Sequence, residues 1–192
     1  LQRSPITAVR LVVQGYIQFF RNTPPFVQLL FFYFALGQFT PSVTGPDGWT
    51  EIPFISNVGW AIISLSFFAG AFNVEIFRAG IEAVPESTQE AATALGFSRL
   101  QTYVEVVLPL AFRVSLPALN NNLVNLVKTT TQAIGIAVPE LLYQSVSIWN
   151  DYPSALYPTM LLLFVAFVLL VGVLVLGMHR WERALRIPGY GG

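Results

Sequence analysis

Long apolar stretches alternate with short polar segments along the 192-residue chain. A helix needs about 20 residues to cross the apolar core of a bilayer. The clearest candidate, residues 157–178, carries no charged side chain, and three further stretches come close to the required length, at residues 12–38, 55–77 and 116–138. The pattern therefore predicts four membrane-spanning helices. We expect the first to be kinked at Pro24 and Pro25, because proline lacks the N–H donor of a regular helix.

Composition supports this interpretation and excludes several classes of function. Hydrophobic residues make up 54% of the chain and charged residues only 10%, whereas soluble domains carry about 25% charged residues. The ten basic and ten acidic residues balance, so charge indicates no nucleic-acid partner. The absence of cysteine and the single histidine exclude disulfides and clustered Cys or His metal ligands. We predict one transmembrane domain over residues 1–192 in contact with membrane lipid.

The basic residues predict the orientation of the chain, because Lys and Arg are retained in cytoplasmic segments. The loops near residues 38–54 and 139–154 contain acidic but no basic residues, and we expect them outside. Nine arginines lie in the other polar segments or at the ends of spans: Arg3, Arg10, Arg21, Arg78, Arg99, Arg113, Arg180, Arg183 and Arg186. The segment before the first span, the region around residues 85–109 and the C-terminal tail are thus predicted to be cytoplasmic.

Residues 85–109 have the local signals of two short helices joined by a bend. Gly96 stands where a helix closes with a left-handed residue. Ser98 and Gln101 have the spacing of a capping box that begins a second helix, and Pro109 is expected to end or kink that helix. From propensity alone, these residues favour an ordinary amphipathic connector lying on the membrane surface.

A longer motif gives the hairpin a specific interpretation. Glu90-Ala91-Ala92 is followed after three residues by Gly96, and after nine more by Val106-Val107-Leu108-Pro109. This resembles the EAA loop of bacterial ABC importer permeases, with Val106 in place of isoleucine. The stretches FRNTPPFVQLLFFYFALG, VEIFRAGIEAVPESTQEAATALGFS and LVKTTTQAIGIAVPEL are similar to the polar amino acid uptake permeases of the histidine, glutamine and arginine type.

The resemblance implies an all-α polytopic membrane helix bundle of the type I importer, MetI-like kind, from which the family's first span is missing here. It also implies a cytoplasmic hairpin that couples to a separate ATP-binding cassette ATPase dimer, through six residues: Glu90, Ala91, Ala92, Gly96, Leu108 and Pro109. The expected setting is the bacterial inner membrane, with a second permease, identical or homologous, and an extracytoplasmic solute-binding protein. The cargo would be a polar amino acid.

ATP hydrolysis is not expected in this chain. The sequence has no G-x-x-x-x-G-K-[ST] phosphate-binding loop, and its only lysine is Lys128. It also shows no set of nucleophile, base and orienting group. We therefore expect a transport subunit that is not an enzyme and has no cofactor of its own, with ATP and Mg²⁺ bound by the partner ATPase.

The third predicted span is unusually polar and is the candidate solute pathway. Asn121, Asn125 and Lys128 fall on one helical face. Their burial in lipid would be costly, so this face should meet protein or water. The candidate pathway residues are Asn121, Asn122, Asn125, Lys128 and Thr129. The alternative is that these side chains hold helices together and that Lys128 extends towards the membrane surface.

Three rival functions remain open at this stage. The first is an ABC permease for another small solute, such as methionine, a metal or a peptide. The second is an ion-coupled secondary transporter that uses Lys128 and Glu75, although the spacing of Glu75 and Arg78 favours a local ion pair. The third is a membrane scaffold whose hairpin recruits a soluble protein. The external loop around residues 40–53 is either a plain surface loop or a contact for the delivering protein.

Overall fold

The computed structural model describes residues 7–185, so Arg3 and Arg186, counted above among the basic residues, lie outside the described range. Helices dominate this range, as the all-α prediction requires. The helices are α1 (Thr7–Asn22), α2 (Pro25–Leu30), α3 (Asn57–Glu82), α4 (Glu86–Ala94), α5 (Arg99–Gln101), α6 (Leu108–Thr129), α7 (Leu141–Asp151) and α8 (Leu156–Leu185). Strands β1 (Ser42–Thr44) and β2 (Glu51–Pro53) form one antiparallel hairpin, with Val43 opposite Ile52.

Non-α turns extend several of these helices. Two π-helical segments, Phe31–Leu36 and Thr102–Val107, follow α2 and α5, and 3₁₀ segments lie at Gly37–Phe39, Thr130–Ile136 and Pro153–Ala155. Three continuous helices in the described range are long and apolar enough to cross a membrane: Asn57–Glu82, Arg99–Ile136 and Pro153–Leu185. A shorter apolar helix runs from Pro25 to Phe39.

The range 12–38, predicted as one bent span, forms two separate helices. The chain leaves helical geometry between α1 and α2, where Pro24 adopts an extended backbone. The side-chain amide of Gln28 donates to the carbonyls of Phe20 at 2.9 Å and Thr23 at 2.7 Å, and so satisfies acceptors at the end of α1. The break between α1 and α2 is therefore held by specific hydrogen bonds. Helix α1 is a separate amphipathic helix, with Ile17 and Phe20 buried.

Pro109 does not end the helix in which it lies. The helix continues from Arg99 to Ile136 over 38 residues, or about 57 Å at the α-helical rise. The π-helical turns at Thr102–Val107 come immediately before the proline, and the Leu108 N–H donates to the Tyr103 carbonyl five residues back. This wider winding accommodates a ring that would clash with the carbonyl four residues earlier in a regular helix.

The closest helix pair is α3 with α6. Gly80 faces Ser115, and a Cβ added at Gly80 would overlap the Ser115 hydroxyl and lie 2.8 Å from the Ala111 carbonyl. The Ser115 hydroxyl donates to the Ile76 carbonyl at 3.3 Å. Small residues that allow backbones to approach are the usual basis of helix packing in membranes. The Gly80 contact brings the polar helix α6 directly against α3.

An apolar cluster joins the two N-terminal helices to α3. Phe20 from α1, Leu29 and Phe32 from the second helix, and Trp60 and Ala61 from α3 are buried together. Asn57, at the start of α3, donates to the Ile136 carbonyl at 2.8 Å, which fixes the far end of the long helix to the same cluster.

Candidate coupling hairpin and polar helix face

The bend of the predicted coupling hairpin is closed by Gly96. Its φ of +89° is left-handed, a conformation that favours glycine. The Phe97 N–H donates to the Ala92 carbonyl at 3.2 Å and the Gly96 N–H to the Thr93 carbonyl at 3.0 Å, the hydrogen-bond pattern of a Schellman motif. The glycine therefore ends α4 and turns the chain sharply into the next helix.

Ser98 begins that next helix through the predicted capping box. The Ser98 N–H donates to Oε1 of Gln101 at 2.9 Å, and the Gln101 N–H donates to the Ser98 hydroxyl at 3.3 Å. Both arms of the hairpin are thus capped within a few residues of each other. The unit is stiff because the N–H groups at its turn are hydrogen-bonded.

The two alanines of the EAA motif lie in different environments. Ala92 is only 5% exposed and is the one buried residue of α4, the helix that contacts the π-helical segment of the other arm. Ala91 is exposed. Of the two alanines expected at the ATPase contact, Ala92 is therefore covered within the protein and its side chain does not lie on the outer surface. Ala91 alone of the pair is available to another protein.

The hairpin is anchored to the rest of the protein by a small core. Val84, Val107 and Ala111 are buried together, with Ile81 and Leu110 against them. Ile81 lies at the end of α3, Val84 lies in the connection from α3 to α4, and the other three residues belong to the long helix. The base of the hairpin is therefore connected through this core to both α3 and α6.

The outer surface of the hairpin carries apolar side chains that sequence reasoning missed. Leu95 is 80% exposed and Leu100 72% exposed, one on each side of the bend. Glu90, Leu108 and Pro109 are also exposed. The sequence did contain a signal for this surface, because it places a leucine on each side of a capped, polar turn. Large apolar side chains left open at a turn are typical of a protein contact.

A cavity of about 540 Å³ lies between the two arms. Glu90 and Arg99 line it, together with Tyr103 and the buried Thr102, whose hydroxyl has no hydrogen-bond partner. The hairpin therefore has a recess lined mainly by polar residues between its arms, in addition to the two exposed leucines.

The polar residues of α6 separate into three environments. Asn121, Asn125 and Lys128 are exposed along one face, as their helical spacing predicts. Asn120 is buried and donates to Oε2 of Glu182 on α8 at 3.5 Å. Of these four residues, only Asn121, Asn125 and Lys128 are exposed to another molecule.

Asn122 and Thr129, predicted with the pathway residues, lie instead within the protein. The Asn122 amide donates to Oδ1 of Asn73 at 2.8 Å and to the Ala69 carbonyl at 3.3 Å. Thr129 is buried and donates to the Asn125 carbonyl at 2.8 Å. In this arrangement Asn122 contributes to packing against α3, and neither residue is on the exposed face.

Charged residues gather at the end of α3 nearest the hairpin. Arg78 donates to Glu75 at 2.8 Å and to Glu82 at 2.7 Å, which confirms the predicted local pair, and Arg21 from α1 lies 3.7 Å from Glu75. A cavity of about 480 Å³ adjoins this cluster and is also lined by Ala118 of α6. Ala118 lies about one helical turn before Asn121 on the same helix. Within residues 7–185 there is no cluster of three His, Cys, Asp or Glu side chains that could hold a metal ion.

Comparison with known proteins finds transport proteins over nearly the whole chain. The permease protein HisM of the histidine/lysine/arginine/ornithine transport system of Salmonella typhimurium is 32% identical over 178 residues, which are 93% of this chain and 73% of that protein. The glutamate/aspartate import permease protein GltJ of Escherichia coli is 29% identical over 91% of this chain and 71% of its own length. The probable amino-acid permease protein YxeN of Bacillus subtilis is 28% identical over 98% and 80%.

Two solved transporter structures have the same fold as this chain. A crystal structure of an amino acid ABC transporter with histidines superposes with a TM-score of 0.80 at 27% identity, covering 95% of this chain and 79% of that one. An inward-facing MetNI methionine ABC transporter superposes with a TM-score of 0.68 at 20% identity, over 97% and 81%, which shows the shared fold alone. Residues 3–185 match the family described as "Binding-protein-dependent transport system inner membrane component". The chain belongs to this family of integral membrane permeases.

Proposed function

We propose that this protein is the permease subunit of an ATP-driven importer for a polar amino acid. The observation that carries the proposal is the continuous helix from Arg99 to Ile136. One end of this helix forms an arm of the capped hairpin, and its middle carries the exposed Asn121, Asn125 and Lys128. A force applied to the hairpin would therefore be passed along one unbroken helix to the polar face.

The hairpin is proposed to bind a separate ATPase of the ATP-binding cassette type, with ATP and Mg²⁺ held by that partner. Leu95 and Leu100 flank the bend at Gly96 and are largely exposed, so they fit a groove of another protein. Glu90 and Ala91 lie on the same arm as Leu95. Two hairpins, one from each permease, would engage an ATPase dimer.

A second permease is proposed to cover the exposed face of α6. Asn121, Asn125 and Lys128 cannot face lipid cheaply, because a lysine at the bilayer centre alone costs about 2.5 to 3.5 kcal/mol on insertion scales. A second permease copy or a homologous permease would enclose these side chains in a shared, water-accessible path. The amides offer neutral hydrogen bonds, and Lys128 favours the carboxylate that every amino acid carries.

The relatives support an amino acid as cargo but not a particular one. Their names cover both cationic substrates, for HisM, and anionic ones, for GltJ. We propose that the shared backbone groups of an amino acid are recognised along this face and that a solute-binding protein selects the side chain. The hairpin and the C-terminal end of α8 would face the bacterial cytoplasm, and β1–β2 the outside.

Reconstitution tests the proposal. The permease is purified with the ATPase encoded beside it, placed in proteoliposomes and supplied with the secreted solute-binding protein of the same gene cluster. We expect uptake of a labelled polar amino acid that requires ATP and survives a protonophore. Uptake that needs no ATPase but collapses with an ion gradient would identify a secondary transporter, and uptake of methionine, a metal or a peptide instead would change the cargo class.

Single-cysteine labelling tests the path itself, and the chain offers a clean background because it contains no cysteine. Cysteines at Asn121 and Asn125 should react with a water-soluble maleimide in the assembled complex. A cysteine at Met160, which is exposed on the apolar α8, is the control and should react slowly. A scaffold protein without a water path would leave all three positions equally protected.

A further inference from the structure

The recess between the arms of the hairpin, about 540 Å³ in volume, has one charged residue of each sign in its walls. Glu90 comes from α4, and Arg99 comes from the first turn of the long helix. Within residues 7–185 neither side chain forms an ion pair or a side-chain hydrogen bond. Two unpaired charges of opposite sign, one from each arm, therefore border the same space.

The remaining walls of the recess are mostly polar. Gln89 and Thr93 line it from α4, and Thr102 and Tyr103 line it from the other arm. Thr102 is only 7% exposed, and its hydroxyl has no hydrogen-bond partner among the described residues. Because buried hydroxyl groups are normally hydrogen-bonded, the wall retains hydrogen-bonding capacity that the chain itself does not use.

The volume of the recess suits a small molecule. Small-molecule sites in proteins are typically clefts of about 300 to 1,000 Å³ that contain a few polar groups, and the hairpin recess lies within this range. A free amino acid carries an ammonium and a carboxylate on the same carbon atom. Its two charges therefore match the two unpaired charges of the recess.

Charge distinguishes this occupant from others. An anion such as phosphate would pair with Arg99 but would be repelled by Glu90, and a simple cation would have the reverse difficulty. A single charged side chain of a partner protein has the same difficulty as either ion. A zwitterion pairs with both residues at once, through charge-assisted hydrogen bonds that are about twice as strong as neutral ones.

We infer that the hairpin recess binds a free amino acid, with its ammonium on Glu90 and its carboxylate on Arg99. The inference rests on the proposed function, which places the hairpin in the cytoplasm and makes an amino acid the imported product. This site is separate from the exposed face of α6, because the two are lined by different residues. Imported product would then bind to the unit that contacts the ATPase.

The test is protection of a cysteine in the recess by L-glutamine, whose side chain is uncharged. Thr93→Cys is the single cysteine of the chain, and its reaction with a water-soluble maleimide is followed by the mass of the permease, with and without the ATPase. The reaction should slow about tenfold at about ten times the half-protecting concentration, because only the empty recess reacts. Ser87→Cys, exposed on α4 outside the recess, is the control and should react at an unchanged rate.

Analogues and variants that lack one charge test the pairing. N-acetyl-L-glutamine has no ammonium and L-glutamine amide has no carboxylate, so each should need at least about tenfold more for half-maximal protection, as expected when a hydrogen bond to a charged group is lost. Arg99→Gln and Glu90→Gln should weaken protection by L-glutamine to a similar extent. The matched controls are Arg113→Gln and Glu86→Gln, which remove exposed charges of the same two helices outside the recess and should leave protection unchanged.

Several outcomes would overturn the inference. Absence of protection by L-glutamine, or equal protection by both analogues, would exclude a zwitterion site. Protection by the ATPase alone, with no further effect of L-glutamine, would assign the recess to that partner. A loss of protection in Lys128→Leu as large as that in Arg99→Gln would assign the effect to the solute path.

The proposed function fails separately from this inference. It is wrong if the wild-type complex shows no ATP-driven uptake of an amino acid. Protection of Thr93→Cys is measured on the purified protein and requires no transport, so each result can be obtained without the other.

Discussion

The amide of Asn122 donates a hydrogen bond to Oδ1 of Asn73 at 2.8 Å and joins α6 to α3. Its sequence neighbour Asn121 points away from this contact and is exposed. Two adjacent residues of the same type therefore have different surroundings, because one step along a helix turns a side chain by about 100°.

This pair of asparagines gives a first prediction. Asn122→Leu should lower the thermal stability of the purified protein in detergent, whereas Asn121→Leu should not. Hydrogen bonds between membrane helices contribute about 0.6 kcal/mol on average and at most about 1.7, so the coupling of Asn122 with Asn73 in a double-mutant cycle should lie in that range. A coupling near zero, or a larger loss for Asn121→Leu, would contradict the observed packing.

Lys128 gives a second prediction, on transport. Lys128→Leu should raise the substrate concentration for half-maximal uptake, because the exposed cation that favours a carboxylate is lost, and Lys128→Arg should retain much of the affinity. Assembly, measured by co-purification of the ATPase, should not change. The control is Asn122→Leu, which should lower stability more than it alters substrate dependence. An unaltered concentration dependence in Lys128→Leu would remove this residue from the pathway.

Gly96 gives a third prediction, on coupling. Gly96→Val should leave membrane insertion intact but reduce substrate-stimulated ATP hydrolysis, because a β-branched residue resists the left-handed φ of +89°. The strain for an L-residue is about 1 to 2 kcal/mol. Gly96→Asn should be milder, since asparagine tolerates this conformation. The assay is stimulated hydrolysis by the purified complex, and equal stimulation in wild type and Gly96→Val would refute the role of the bend.

Gly80 gives a fourth prediction, on packing. Gly80→Ala should destabilise the protein by about 1 to 3 kcal/mol, the usual range for overpacking, because the added methyl group meets the Ser115 hydroxyl and the Ala111 carbonyl. Gly172→Ala on α8 is the control, since a Cβ there has no neighbour within 4 Å. Thermal unfolding in detergent should separate the two variants, and Ser115→Gly should recover part of the loss. Equal stability of the two alanine variants would show that α3 and α6 can move apart freely.

Asp47 gives a fifth prediction, on pH. The hydrogen bond from the Thr50 hydroxyl, followed by those from the backbone N–H groups of Thr50 and Trp49, holds the pKa of Asp47 below its ordinary value of 3.8. For a depressed pKa the stabilisation is complete well above the ordinary value and is lost as the pH falls through the lower, folded-state value. The conformation of the turn between β1 and β2, in which Asp47 lies, should therefore not change between about pH 5 and 8.

An environment-sensitive dye attached to Trp49→Cys, two residues after Asp47 in this turn, reports the loss of the turn conformation at acid pH. Its emission should remain constant at neutral pH and change only under strongly acidic conditions. Asp47→Asn should remove the acid transition, since asparagine does not titrate. The same transition in both proteins would assign it to another group.

The amino-acid sequence determined the features that depend on local chemistry and on hydropathy. The apolar runs, the left-handed Gly96, the Ser98 capping box and the Glu75–Arg78 pair all involve residues close together in the chain. Such features depend little on what packs against them, so their spacing was sufficient. The motif around Glu90 likewise identified the family that the whole-chain comparison shows.

Tertiary structure decided the features that depend on distant neighbours. Whether Ala92 faces inward, whether Asn122 meets Asn73, and whether the helix passes through Pro109 are set by the packing of α3, α4 and the long helix. The periodicity of a polar helix shows which residues share a face but not which face is covered. Burial is a property of two surfaces, and the sequence of one segment describes only one of them.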